Sequence, residues 1–121
     1  MFSVSANNVI TITRGDSAST AIYINRGTKL DPERYVLTEN DAVYVGIMEF
    51  NQSFEDAIVK YKLTSENLNQ DNDVTWTIKS TDTEYLEPGK YFYQIKLVRN
   101  DGTENQLVDT IVSKTELFIQ D

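Results

Sequence analysis

The chain has 121 residues, enough for one domain with a sizeable core, and its 40% hydrophobic and 25% charged content is that of a globular protein. Nineteen acidic against eleven basic residues leave a net charge of −8, which disfavours a phosphate-backbone partner, so no nucleic acid is expected. Cysteine and histidine are both absent, which removes disulfide frameworks, Cys/His zinc and haem sites, and every Ser-His or Cys-His catalytic arrangement.

The first eight residues, Met1 to Asn8, have neither a basic n-region nor an apolar h-region, and no apolar run approaches a membrane span. No membrane partner is expected, and synthesis in a cytoplasm is. Residues 9–13 predict a first strand with Ile10 and Ile12 on one face, and Arg14-Gly15-Asp16-Ser17 is turn chemistry. Residues 19–25 alternate again, Ile22 and Ile24 against Ala21 and Tyr23, which predicts a second strand hairpinned to the first. Arg26-Gly27-Thr28 breaks it, and residues 30–35, with Pro32 early, suit at most one helical turn.

Residues 42–49 predict a strand whose Val43, Val45 and Ile47 share a face, with Gly46 on the opposite face where a close backbone approach or a bulge can occur. A polar loop follows. Residues 57–63 predict a strand with Val59, Tyr61 and Leu63 inward and Lys60 and Lys62 outward. Residues 65–73 are the most polar segment and read as loop, and residues 74–79 alternate with Val74, Trp76 and Ile78 on one side.

The stretch that organises the rest is residues 82–97. A short turn around Leu86 is closed by Pro88-Gly89, and Gly89 supplies a positive φ. The strand launched from it points Tyr91, Tyr93, Ile95 and Leu97 one way and Phe92, Gln94 and Lys96 the other. An aromatic placed just after such a corner resembles the tyrosine corner of immunoglobulin-like sandwiches, whose phenol bonds back to the turn. Asp101-Gly102 predicts a hairpin turn, residues 107–112 pair back, and residues 117–119 close the chain. About eight short strands with turns between them, and almost no helical periodicity, predict an all-β sandwich or barrel in a single domain, residues 1–121.

Candidate chemistry is sparse. An enzyme would have to run on carboxylates, Lys or Tyr, and acids such as Asp31, Glu33, Asp71, Asp73 and Asp101 sit in loops, where solvated charge is the simpler reading. The chain is therefore expected not to be an enzyme and to need no cofactor. Arg14-Gly15-Asp16 spells the tripeptide that integrins read, but a turn between strands demands the same residues. Asp71-Asn72-Asp73 lacks the glycine and distant glutamate of a calcium loop, so no metal site is expected. The outward row Tyr44, Met48, Phe92 and Val98 is the candidate functional surface, because large apolar groups on the outer face of a sandwich commonly mean assembly.

The order of signals has a family likeness. Thr11-x-Thr13-Arg14-Gly15-Asp16, then Asn40-Asp41-x-Val43-Tyr44-Val45, then Asp82-Thr83-x-x-Leu86-x-x-Gly89-x-Tyr91-x-Tyr93-Gln94-Ile95-x-Leu97 are followed by a turn at Gly102, Thr110-Ile111-Val112 and Leu117-Phe118-Ile119. This pattern resembles small structural domains of tailed phages and prophages of Gram-positive hosts, in particular the N-terminal domain of phage baseplate upper proteins. The resemblance implies an immunoglobulin-like antiparallel β-sandwich. It also implies a tail or baseplate adaptor, assembled in the bacterial host cytoplasm, whose partners are other virion proteins and further copies of itself. A carbohydrate-binding or adhesion module, using loop aromatics such as Phe50, Phe54 and Tyr35, is the alternative.

Overall fold

The computed structural model of the chain describes residues 1–27, 30, 32–100 and 106–121. Among these, ten strands and one short α-helix follow in order: β1 (Phe2–Val4), β2 (Ile10–Thr13), β3 (Ala18–Ile22), β4 (Asn25–Gly27), β5 (Pro32–Arg34), β6 (Asp41–Met48), β7 (Val59–Leu63), β8 (Val74–Ile78), α1 (Ser80–Thr83), β9 (Gly89–Asn100) and β10 (Gln106–Gln120). A curled six-stranded sheet runs β1-β2-β10-β9-β6-β7, and a second sheet pairs β3 with β8. The protein is an all-β sandwich. In the lettering used for immunoglobulin-type sandwiches, β3 and β8 take the B and E positions, and β6, β7, β9 and β10 take C, C′, F and G.

Several elements differ from expectation. β2 and β3 do not form a hairpin: β2 lies between β1 and β10, whereas β3 crosses to the other sheet and pairs with β8. β2 runs parallel to the end of β10, Leu117 opposite Ile10 and Ile119 opposite Ile12, so the sandwich is not wholly antiparallel. Where a helical turn was expected, Pro32–Arg34 form a strand; Pro32 begins β5, a position that asks no amide donor of it. The two closing strands expected at 107–112 and 117–119 are one strand, β10, bent by register shifts between Thr110 and Val112 and between Val112 and Thr115. The Asp101-Gly102 turn lies outside the described residues.

The faces fall as the period-two alternation requires. Val43, Val45, Ile47, Tyr91, Tyr93, Ile95 and Leu97 are buried between the sheets with Ile10, Ile12, Leu117 and Ile119. From the small sheet, Trp76 (1% exposed) closes the core, its ring centroid 5.6 Å from those of both Tyr61 and Tyr93. The corner before β9 forms as predicted: Tyr91 donates its phenolic hydrogen to the Glu87 carbonyl oxygen at 2.7 Å, and Gly89 has φ +154°. α1 leads into it. Asp82 Oδ2 accepts from Lys79 N–H and from the Tyr61 hydroxyl, both at 2.9 Å, while buried Thr83 accepts from Gly15 N–H at 3.0 Å.

Candidate assembly surface

The outer face of the large sheet is built from the residues that alternate with the core set. Antiparallel register places Tyr44 opposite Lys96 and Lys62, Gly46 opposite Gln94 and Lys60, Met48 opposite Phe92, and Val98 opposite Ala42 and Val108. All four candidate residues therefore share this face. They do not form one continuous apolar strip. Tyr44 and Val98 are half-buried at one end, where they line a small polar recess of about 220 Å³ with Glu39, Asp41, Lys62 and Thr64. Met48 and Phe92 lie at the other end.

Met48 contributes no exposed area: it is 0% exposed, although it belongs to the outward row. The connection from β6 to β7 returns over this face of the sheet instead of leaving it. A Cβ placed on Gly46 would sit 3.0 Å and 3.2 Å from the Phe54 ring and 3.1 Å from Ala57 Cβ. Gly46 is thus the close approach that its position suggested, with an aromatic ring where a side chain would be. Lysines of the sheet fasten the loop. Lys114 donates to the carbonyls of Gln52 at 2.8 Å and Phe50 at 3.1 Å, Lys60 donates to the Glu55 carbonyl, and the Lys96 ammonium sits 4.7 Å above the Phe54 ring. Lys114 falls within the second register shift of β10, where bulges re-aim side chains.

What this arrangement exposes is Phe50, 77% exposed, with its ring centroid 5.6 Å from that of half-buried Phe92. Lys90 lies 5.6 Å over the Phe92 ring and 3.8 Å from Glu116. Phe50 is absent from the outward row read from strand periodicity, since a loop residue has no period; the signals for it were the unoccupied Gly46 position and the two phenylalanines four residues apart in the loop. Of the three aromatics named for glycan binding, Phe50 alone is open. Phe54 is half-buried beneath Lys96, and Tyr35 donates to Asp41 beneath the Arg99 guanidinium, 5.8 Å from its ring.

The acids divide between loop surface and interior. Asp73 is not solvated loop charge: it is 5% exposed, pairs with the Arg34 guanidinium, and its N–H donates to Asn69 Oδ1 at 3.0 Å. Arg34 also donates to the Asp71 carbonyl, so the 69–73 loop closes on this arginine. Asp41, likewise buried, accepts from the Tyr35 hydroxyl and from Thr38 N–H and Oγ1, which ties the strand entry together. Asp31 and Asp101 lie outside the described residues. Arg14 of the integrin-like tripeptide pairs with Asp121 at 2.8 Å. Among the described residues no group of three acids is placed to hold a metal ion, and no helix is long and apolar enough to cross a membrane.

Burial raises three phenols above their ordinary value. Tyr93 is pushed up to about 12 by burial. Tyr61 is raised further, by burial first and then by its hydrogen bond to the Asp82 carboxylate and that group's charge. Tyr91 is raised by burial and by the charges of Glu49 and Glu87. All three are held neutral within the core or the corner, as structural tyrosines are. Compared with known proteins, the chain matches no protein-family model and no curated protein.

Proposed function

We propose that the chain is a non-enzymatic assembly module, a structural or adaptor subunit of the tail or baseplate kind that its sequence pattern resembles. The observation that carries the assembly reading is the exposed Phe50 ring in tilted contact with the Phe92 ring, on a loop fastened to the sheet through Lys114 and Lys60. An exposed aromatic on a preordered loop offers contact area at small entropic cost, the usual composition of an interface centre. Half-buried Tyr44 and Val98 extend the surface along the same face. The phage setting is supported by the order of the sequence signals alone.

The test is self-association and partner capture with Phe50→Asp, read by sedimentation velocity and by cross-linking to neighbouring tail proteins. Phe50→Asp is expected to weaken association strongly while costing the fold only the ring pair, about 0.5–1.5 kcal/mol. Association unchanged by Phe50→Asp and by Phe92→Asp would remove this face from the mechanism. Genes for portal, tape-measure or tail proteins beside this one would support the phage setting, and their absence would oppose it.

A further inference from the structure

We propose that the cleft beside the free edge of β3 takes a single extended peptide strand from a partner protein, uncharged where it pairs, as a third strand of the small sheet. The site is separate from the outer face and stands without the assembly reading. β3 pairs on one side with β8, Ala18 opposite Ile78 through Ile22 opposite Val74, and among the described residues no strand pairs with its other side. Beside that free edge the two sheets are not sealed. A cleft of about 290 Å³ opens there, floored by the core residues Ile10, Ile22, Ile95 and Trp76 and rimmed by Val4 and Ile111.

Hydrogen-bond and charge complementarity select the occupant. A strand edge offers a row of backbone N–H and C=O groups at regular spacing, which another extended backbone matches along its length. The margins of the large sheet are guarded. β7, at one margin of the large sheet, carries exposed Lys60 and Lys62, and β1, at the other, is only three residues long. β3 reads Ala-Ser-Thr-Ala-Ile, with no charge, proline or bulge, and no residue lining the cleft is charged in a chain with 25% charged residues. A strand bearing charge at its inward positions would lose hydration there without a counter-charge. The space suits a few aliphatic side chains, against the roughly 150 Å³ that accommodates a benzene ring. Thr20, small and on the same side of β3 as buried Ile22, leaves it open.

The same geometry excludes a folded sheet edge, including β3 of a second copy. Residues of β10, β2 and β1 line the cleft, so the large sheet lies alongside the free edge. A second sandwich arriving edge-on would drive its own large sheet into that floor. A lone strand brings nothing beneath it.

The probe is a capped heptapeptide, Lys-Thr-Val-Thr-Val-Thr-Lys, added to the full chain while amide hydrogen exchange of residues 18–22 is followed. Saturable binding with exchange slowed tenfold or more at alternate residues is expected. Two further peptides carry N-methyl groups on the valine amides or on the threonine amides. Strand addition uses only one edge of the peptide, so one of these should bind as the parent does and the other should fail. Thr20→Lys, which puts a charge at the cleft, should abolish binding while the protein keeps its denaturation midpoint. No saturable binding, equal binding of both methylated peptides, or undiminished binding to Thr20→Lys in its folded state would each overturn the proposal. The methylated pair is read on the unaltered protein and decides the matter even if Thr20→Lys fails to fold.

Discussion

Replacing Gly46 by alanine is expected to destabilise the protein, although alanine is the better residue in an open strand. The new methyl would meet the Phe54 ring at 3.0 Å and Ala57 Cβ at 3.1 Å. Carbon atoms prefer about 3.5–4.0 Å, so ring and loop must move outward by roughly half an ångström. Overpacking of that kind costs about 1–3 kcal/mol. Removing glycine's freedom in the unfolded chain offsets about 0.4–1 kcal/mol of this. The net expectation is a loss of about 0.5–2 kcal/mol, read as a lower urea midpoint with an unchanged slope. The cost should shrink when the ring is gone: in a Phe54→Ala background only the Ala57 contact remains, and Gly46→Ala should cost less than in the parent protein. If Gly46→Ala stabilises both backgrounds alike, Phe54 does not cover Gly46. The 50–57 loop would then not lie over the sheet at Gly46.

Three further outcomes are expected. Gly89→Val should cost about 1–3 kcal/mol, because Gly89 has φ +154° with nothing within 4 Å to clash, so the whole effect is backbone strain; a midpoint equal to wild type would displace the corner. Tyr91→Phe removes the bond to the Glu87 carbonyl and should cost about 0.5–1.5 kcal/mol in denaturant melts, and a neutral result would make the corner ornamental. Stability should hold through neutral pH and fall as pH rises from the ordinary tyrosine value of 10.0 towards about 12, since the folded state retains the Tyr93 and Tyr61 protons that the unfolded chain releases. Tyrosinate absorbance reporting that these two ionise at the ordinary value in the folded protein would contradict that linkage.

Strand alternation, turn residues and the corner are local properties, and they were legible. A period of two fixes which side chains share a face once a segment is extended, so Val43, Val45 and Ile47 could be set against Tyr44, Gly46 and Met48 before any partner strand was known. The tyrosine corner spans a sequence separation of only four, from Glu87 to Tyr91, and proline and glycine set most of its backbone. Pairing and cover are different in kind. Nothing local says that β2 runs beside β10, more than a hundred residues away, instead of beside β3; that is decided by which of two sheets buries Ile22 against Trp76. Whether an outward apolar residue meets water is decided by loops, which have no period. The loop that presents Phe50 lies against the sheet because Gly46 leaves room for Phe54, and because Lys114, within a register shift of β10, reaches the loop carbonyls. The cleft beside β3 is likewise tertiary: it exists because six strands face two, a mismatch of widths that no single strand's sequence contains.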